Sequence, residues 1–331
     1  MPDPPWDVLV AGAGPAGSTA ARILAGRGLR VVLADRLDRP TRRLEVVSPS
    51  LGSLLNGLGL LDLLDDPSIA RPCLGIRRRW GHASEQVEDF LVHRGGAGHV
   101  VDRARFDAAL RERAAAAGAR FVPLRIVGAS AGSAGVHVGL SDRSAIAFAR
   151  VVDATGRPAS VARRLGAIRR CSERLAARLD ERLADPAGDA PGWLQVVGRA
   201  DGWRYTVQGP GKLTESWSIS ALRKGGGTSC EDASSARLDR AAGTNWVAVG
   251  DAAAAFDPVT SQGLANALST AAVAAGMILA GDDADAALMY SDAVAATHAR
   301  SEQARREVYG ALTYPMHAAA SGAAPGAAAA P

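Results

Sequence analysis

Three glycines near the start of the chain, Gly12, Gly14 and Gly17, have the spacing G-x-G-x-x-G between a short apolar run and an alanine-rich segment. In a strand–turn–helix unit the first glycine allows the tight turn, and the second lets the backbone approach a pyrophosphate. Pro15 suits the start of the helix, whose free N–H groups attract an anion. Asp35 ends the next apolar run, where a carboxylate binds the ribose of a dinucleotide. A glycine turn that only packs would leave Asp35 unexplained, so the sequence predicts dinucleotide binding.

A second segment, towards the other end, has the groups that a flavin needs. Gly250 and Asp251 follow a buried apolar run, which places the Asp251 carboxylate to bind the ribityl chain or a group near the phosphates. Pro258 would stiffen the loop over the ring. Gln262 and Gly263 begin a helix whose positive end would stabilise negative charge on a reduced flavin. An ordinary helix cap would look similar in isolation, but with the glycine turn the segment predicts FAD.

These motifs need a sheet to position them. Short apolar runs predict buried parallel strands, and they lie at Trp6–Val10, Leu29–Ala34, Ala149–Ala154 and Trp246–Val249. The charged stretch 157–185 is predicted to be helical. Alternating segments predict an antiparallel sheet, with strands at Trp193–Val197, Trp203–Gln208 and Ser216–Leu222. The glycine-rich stretch 128–135 lacks the phosphate-binding spacing and is predicted to be a hairpin turn, so a second dinucleotide site is not expected.

The predicted fold class is α/β, a Rossmann-like FAD-binding domain with an interleaved and shortened antiparallel-sheet substrate domain. Residues 1–165 and 240–282 are predicted to form the FAD-binding domain, with part of 50–100 contributing to the substrate side. Residues 166–239 would form the substrate-binding sheet, and residues 283–317 a C-terminal helix. Alanine, glycine and proline dominate residues 318–331, which predicts a disordered tail.

Composition narrows the class of protein. With 331 residues, a net charge of +4 and 47% hydrophobic residues, the chain is long enough for a core with a second module. Its tight basic run, 77–79, has no interleaved aromatics, so nucleic-acid binding is not expected. Cys73, Cys171 and Cys230 fit neither a disulfide framework nor a metal site and indicate a reducing compartment. Neither a signal peptide nor a transmembrane segment is expected, so we expect a cytoplasmic protein.

In its motifs the sequence resembles the FAD-dependent monooxygenase superfamily that includes para-hydroxybenzoate hydroxylase. The resemblance covers about residues 6–317 and rests on Gly12–Gly17, Asp153–Arg157 and Gly250–Gly263. It is closer to the branch of tryptophan halogenases, geranylgeranyl reductases and flavoproteins that mature peptide-derived quinone cofactors. Shorter stretches fit the quinone-maturation group best, at 45–49, 80–81, 101–107, 202–205, 235–238 and 309–315.

This resemblance implies an FAD-dependent oxidoreductase, above all a monooxygenase that hydroxylates an aromatic substrate through a flavin hydroperoxide. The closer branch implies a peptide-borne tryptophan or tyrosine as substrate. NAD(P)H and a partner flavin reductase are the candidate electron donors. It also implies that Arg103 reaches the FAD, the alternative being a surface arginine at a helix start. Halogenation is disfavoured, because the W-x-W-x-I-P segment is missing around Trp217 and the N-terminal half has no lysine.

A catalytic residue is hard to assign, because the flavin itself carries the reactive oxygen. Glu45 and His82 are the candidates for deprotonating a phenol. The alternatives are an ion pair of Glu45 with Arg42 or Arg43, and a solvated turn for His82.

Aromatic residues in the alternating segments would line a pocket or pack in a core, and these are Trp193, Trp203, Tyr205 and Trp217. The region between Gly156 and Gly250 is short for the resembled family, with losses expected around 185–191 and 224–229. Two further hypotheses therefore stay open. One is a flavin-dependent double-bond reductase of the geranylgeranyl reductase type, and the other is a shortened, non-catalytic FAD-binding paralogue.

Overall fold

The computed structural model describes residues 6–38, 41, 43–80, 84–92, 96–132, 135–184, 192–221, 230–281 and 284–310. The strands, in chain order, are β1 Val8–Ala11, β2 Val31–Ala34, β3 Leu44–Val47, β4 Ala70–Cys73, β5 Gly75–Arg79, β6 Gln86–Asp89, β7 Gly98–Asp102, β8 Arg120–Val122, β9 Ile126–Gly132, β10 Gly135–Leu140, β11 Ala145–Phe148, β12 Arg150–Asp153, β13 Arg169–Cys171, β14 Leu175–Leu183, β15 Trp193–Arg199, β16 Gly202–Gln208, β17 Thr214–Ala221, β18 Glu231–Asp232, β19 Ala236–Leu238, β20 Ala242–Gly243, β21 Trp246–Ala248 and β22 Ala254–Ala255. The helices are α1 Pro15–Ala25, α2 Pro49–Gly57, α3 Arg103–Ala116, α4 Ser160–Arg164, α5 Gly263–Ala280 and α6 Ala284–Gly310.

The glycine turn at Gly12–Gly17 and the segment that begins at Gly250 each follow a strand of one sheet. Among the described residues its strand order is β20-β21-β12-β1-β2-β8. Its pairs β1–β2, β1–β12, β12–β21 and β2–β8 are parallel, and β20 is an antiparallel edge strand. The β1 and β2 residues are fully buried because their side chains share one core with α1 and with the three-stranded sheet β9–β11. The Rossmann-like part of the predicted fold class is thereby confirmed.

A second, mainly antiparallel sheet faces this unit, with the order β18-β14-β17-β16-β15-β5-β6. Strand β5, from early in the chain, pairs in parallel with β15, and the other neighbours are antiparallel. The buried face of this sheet contributes Trp203, Trp217 and Ile219 to a core that also includes Leu44 and Tyr309. The interleaved antiparallel sheet of the predicted fold class is therefore confirmed, whereas the domain boundaries stay a prediction.

The prediction of a helical stretch at 157–185 is wrong. Only the short α4 is helical there, and β13 and the long β14 follow it. Strand β14 pairs along its length with β17, and residues Leu175–Ala177 are buried against the sheet. This pairing overrides the helical preference of a stretch rich in alanine, arginine and glutamate.

The predicted hairpin turn at 128–135 is mostly strand, because β9 continues to Gly132 and pairs with β10. Of the predicted C-terminal helix, the structure describes α6 to Gly310. The tail 318–331 and the two stretches of expected loss lie wholly or mainly outside the described residues. Within the described residues, α5 is the helix long and apolar enough to cross a membrane by length and composition, and it packs against α1.

Candidate functional site

The glycine turn between β1 and α1 is shaped by close backbone contacts. Gly12 has φ +102°, and a Cβ there would lie 2.2 Å from the carbonyl oxygen of Ala154. A Cβ on Gly17 would lie 1.8 Å from the carbonyl oxygen of Gly12, whereas a Cβ on Gly14 would meet nothing within 4 Å. Two of the glycines are thus needed for packing, and the third leaves open space in front of the helix.

The start of α1 suits an anion. Gly14 is the N-cap and has no side chain that could accept from the first N–H groups, and the first turn has no acidic residue. The N–H groups of this turn and the positive helix end therefore face the open space beside Gly14. Asp35 lies next to the turn, where its carboxylate accepts hydrogen bonds from the N–H of Ala13 at 2.7 Å and of Leu37 at 2.9 Å. These groups fit the pyrophosphate and ribose of a dinucleotide.

The loop after β12 is organised by Asp153, which is fully buried. Its carboxylate accepts hydrogen bonds from Thr155 and from the N–H groups of Val161 and Ala162. Arg157, in the same loop, donates to the carbonyl oxygen of Phe256 at 3.0 Å and pairs with Asp251 at 3.5 Å. The loop after β12 is thereby tied to the segment that begins at Gly250.

The segment that begins at Gly250 packs directly on the glycine turn. Gly250 has φ +57°, and a Cβ there would lie 2.9 Å from the Cβ of Ala16 in α1. Its N–H donates to the Thr270 hydroxyl at 2.8 Å. At the start of α5, Gln262 is the N-cap without a side-chain hydrogen bond. The fold thus brings the predicted phosphate turn and the predicted flavin segment together, with the open end of α5 between them and the second sheet.

Arg103 lies at the start of α3, where Asp102 caps the helix by accepting from the N–H of Ala104 at 2.9 Å. Its buried guanidinium donates to Asp107 at 2.9 and 3.1 Å and to Glu45 at 2.6 Å. A surface position for Arg103 is therefore wrong, and its contact with FAD stays a prediction. The side chain is held between two carboxylates, so its geometry is fixed before any cofactor binds.

Glu45 faces the start of α5, because a Cβ on Gly263 would lie 3.6 Å from its Oε1 atom. Burial alone would raise the pKa of Glu45, but Arg103 and Arg43 outweigh it and hold this pKa below its usual value. Burial would likewise lower the pKa of Arg103, and its two carboxylate partners raise it instead. Glu45 is therefore an ionised partner of arginine at neutral pH. His82 lies outside the described residues, as does Arg42.

A cleft opens between the α5 start and the second sheet. Its empty volume is about 1010 Å³, counting the space open to solvent. Asp251, Pro258, Gln262 and Gly263 line one side together with Glu45. The opposite side carries aromatic and apolar side chains, namely Trp80, Trp203, Tyr205, Ile76, Leu194, Val196 and Ile219.

Only some of the expected aromatic residues reach this cleft. Trp203 and Tyr205 line it, with ring centroids 5.8 Å apart, and burial raises the pKa of Tyr205. The Trp193 ring instead packs under the Arg77 guanidinium, and the Trp217 N–H donates to Glu215 at 2.9 Å. Period-two alternation could not separate these cases, because Trp217 lies opposite Tyr205 on the same face of the sheet and yet is not among the cleft-lining residues.

A hydrogen-bond chain that residue types and spacing do not predict connects the two sides of the cleft. The Trp203 Nε1–H donates to the Tyr309 hydroxyl at 3.0 Å, and that hydroxyl donates to Asp257 Oδ2 at 2.8 Å. The other Asp257 oxygen accepts from the Val259 N–H at 2.9 Å. Burial raises the pKa of Asp257 to about 6, although the Val259 N–H and the Tyr309 hydroxyl favour its ionised form. Tyr309 lies in the stretch 309–315, for which the family resemblance is the only signal in the sequence.

A helix start open to an anion, a carboxylate beside it and a second helix start next to an aromatic cleft together fit a flavoprotein site. Residues 5–166 match the family model of the FAD binding domain. The chain therefore carries an FAD-binding domain, and the predicted resemblance to the FAD-dependent monooxygenase superfamily is confirmed.

Named proteins with similarity to this chain differ in their reactions. Digeranylgeranylglycerophospholipid reductase 2 of Methanosphaera stadtmanae is 36% identical over 121 residues, which are 35% of this chain and 29% of that protein. Menaquinone reductase of Mycolicibacterium smegmatis is 24% identical over 351 residues, covering 93% of this chain and 85% of that protein. The chain thus spans less than a third of the digeranylgeranylglycerophospholipid reductases that it matches.

Solved structures share the fold over most of the chain. The peptidyl tryptophan dihydroxylase QhpG has a TM-score of 0.77 at 21% identity, covering 95% of this chain and 78% of that one. The flavin-dependent halogenase Xcc4156 from Xanthomonas campestris has a TM-score of 0.81 at 15% identity, covering 97% of this chain and 81% of that one. At these identities the similarity establishes the fold and leaves the reaction open.

Proposed function

We propose that this protein is an FAD-dependent monooxygenase that hydroxylates an aromatic substrate, such as a peptide-borne tryptophan or tyrosine. The observation that supports the proposal is the cleft, where the start of α5 and the loop at Pro258 lie opposite Trp80, Trp203 and Tyr205. Aromatic side chains offer a substrate ring offset-stacked and edge-to-face contacts.

In this proposal the chain binds FAD through residues from both ends. The phosphates lie at the start of α1, beside Gly12, Gly14, Pro15 and Gly17, and Asp35 accepts from the ribose hydroxyls. The flavin end is held by the remaining predicted residues, which are Arg103, Gly250, Asp251, Pro258, Gln262 and Gly263. FAD, once reduced, supplies the oxygen-activating chemistry.

The protein's own task is to orient the substrate ring and exclude water. Glu45 is held in place as an ionised partner of Arg103. Its negative charge lies near the α5 start, where the helix dipole stabilises it. This ionised state makes Glu45 a weak base for a phenol. We infer that NAD(P)H or a partner flavin reductase supplies the electrons, and that the protein acts in the cytoplasm.

The main alternative is a flavin-dependent reductase of isolated double bonds. The similarity to the digeranylgeranylglycerophospholipid and menaquinone reductases favours it. Against it stand the charged side chains that line the cleft, including Arg43, Arg78, Arg157 and Asp232. A long hydrocarbon chain would have to remove these groups from water without replacing their hydrogen bonds.

Anaerobic reduction of the FAD-loaded protein, followed by air in the presence of a tryptophan- or tyrosine-containing peptide, tests the proposal. We expect faster flavin reoxidation with peptide and a product that has gained oxygen by mass spectrometry. A prenylated substrate that gains two hydrogens while the peptide is unchanged would establish the reductase. A flavin that binds but turns over neither substrate would favour the non-catalytic hypothesis. The variant Gly14→Ala, expected to bind FAD more weakly, is the matched control.

A further inference from the structure

A concave pocket on the surface is lined by three arginines. Its empty volume is about 980 Å³, counting the space open to solvent. Residues from α4 and from the stretch between α4 and β13 form it, namely Pro158, Ser160, Arg163, Arg164, Ala167, Ile168 and Arg169. We call this set the arginine pocket. Ile168 is 51% exposed, so an apolar contact is available within a positively charged rim.

The positive charge of the arginine pocket is only partly neutralised. Arg163 and Arg164 are exposed, and their guanidiniums donate to the uncharged carbonyl oxygens of Pro158 at 3.4 Å and Ser160 at 2.6 Å. Within the described part of the chain neither arginine forms an ion pair with a carboxylate. Arg169 alone has such a partner, at 3.4 Å from Asp232.

Two further arginines flank the arginine pocket. Arg240 donates to the carbonyl oxygen of Leu165 at 3.0 Å, in the turn after α4, and Arg170 follows Arg169 in β13. Asp239 is the other acidic residue here, and it accepts from the backbone N–H of Ile168 at 2.8 Å. Asp239 lies near Arg170 and Arg240, and Asp232 pairs with Arg169, so the charges of Arg163 and Arg164 stay unneutralised and attract acidic groups.

The arginine pocket shares a wall with the cleft. Arg157 lines the cleft and is followed directly by Pro158, which lines the pocket. Asp232 lines the cleft as well, and its carboxylate pairs with Arg169 of the pocket. Burial would raise the pKa of Asp232, but its hydrogen bonds to Ser234 and the charges of Arg157 and Arg169 hold this pKa below its usual value. A chain bound in the pocket therefore lies beside residues that contact the cleft lining.

We propose that the arginine pocket docks an acidic polypeptide, which presents its aromatic side chain to the cleft. This inference rests on the proposed function for the fate of the aromatic group. A polypeptide is favoured over a small anion because the guanidiniums are held on different acceptors and do not converge on one point. An extended acidic segment matches several separate positive charges and also covers Ile168.

The test measures binding without turnover. The probe is a fluorescent peptide in which a run of glutamates is joined by a glycine spacer to one tryptophan, added to the FAD-loaded protein at low and high salt. We expect the double variant R163E/R164E to weaken binding at least about tenfold, and binding to fall with salt. The variant R27E/R199E is the matched control, because it changes the net charge by the same amount at two exposed arginines outside the pocket.

Two peptide controls define the outcomes. Equal affinity for a peptide with glutamines in place of the glutamates, or equal weakening by both double variants, would overturn the docking surface. A second control replaces tryptophan by glycine, and only the tryptophan peptide is expected to perturb the flavin absorbance. If both peptides bind without that difference, presentation to the cleft is wrong. If the peptide docks as proposed but the protein is not a monooxygenase, both binding results are still observed and the peptide gains no oxygen.

Discussion

At the scale of single residues, the ion pairs around Arg103 decide how the cleft is built. The guanidinium is bound by Glu45 and Asp107, and side-chain exposure is only 10% for Arg103 and 8% for Asp107. A buried charge pair adds little net stability relative to apolar residues, but removing one partner leaves the other uncompensated. Arg103 therefore acts first as the group that keeps Glu45 ionised and fixed.

Replacing Arg103 by methionine should be strongly destabilising. The variant leaves the buried Asp107 carboxylate without its hydrogen-bonded cation and leaves Glu45 only the more distant Arg43, so we expect the free energy of unfolding to fall by about 3–5 kcal/mol in urea titrations. Arg105, two residues along α3, is the matched control, since its side chain is 61% exposed and 3.8 Å from Asp102. Arg105→Met should cost less than about 1 kcal/mol. Similar losses for the two variants would contradict the buried role of Arg103.

Asp257 should give a pH dependence of opposite sign to that of an ordinary surface aspartate. Its pKa in the folded protein is about 6, above the usual 3.8, so the folded state binds the proton more tightly than the unfolded state. The resulting stability is present below pH 4 and is lost as the pH rises through 6. Between pH 4 and pH values above 6, we expect the free energy of unfolding of wild type to fall by about 2–3 kcal/mol relative to that of Asp257→Asn, measured by urea unfolding.

The control for this titration is Asp142, whose hydrogen bonds to Ser144 hold its pKa below the usual value. Its stabilising effect is present above the usual pKa and is lost as the pH falls through the lowered one. The difference between wild type and Asp142→Asn should thus slope the opposite way. Parallel profiles for the two aspartates would show that burial of Asp257 does not set its pKa.

At the scale of elements, the turn between β1 and α1 separates packing from cofactor binding. Gly17→Ala places a Cβ 1.8 Å from the carbonyl oxygen of Gly12, so the helix must move, and about 1–3 kcal/mol or more of stability is lost. Gly14→Ala places a Cβ in open space and should change stability by less than about 1 kcal/mol. We expect it to weaken FAD binding about tenfold or more, measured by flavin fluorescence. Full FAD affinity in Gly14→Ala would place the phosphates elsewhere.

Elements with local determinants were predictable from the sequence. The β1–α1 turn follows from glycine spacing, and α5 follows from a long apolar run between Gln262 and Gly281. By contrast, β14 depends on its pairing with β17, whose residues lie about forty positions further along the chain. The position of Arg103 against Glu45 likewise depends on pairing between β3 and β7, which residue types do not reveal.

At the scale of the whole molecule, the C-terminal helix α6 joins the two sheets at the cleft. Tyr309 bonds to Trp203 of the antiparallel sheet and to Asp257 of the loop before α5. Earlier in α6, Arg305 pairs with Glu173 at 2.7 Å. Glu173 lies just before β14, so this ion pair anchors the helix to that part of the chain. The loop at Pro258 is thus positioned from a part of the chain that lies about fifty residues away.

Tyr309→Phe should release this loop without unfolding the protein. The variant leaves the Trp203 N–H and the Asp257 carboxylate without their shared hydroxyl, so we expect to lose about 1–3 kcal/mol of stability. Tyr290→Phe is the matched control on the same helix, because its buried hydroxyl donates to the carbonyl oxygen of Ala248 at 2.7 Å, away from the cleft lining. Both variants should lose stability, but only Tyr309→Phe should weaken FAD binding and raise the pKa of Asp257 further. Equal FAD affinity in the two variants would mean that α6 stabilises the fold without positioning the loop over the cofactor.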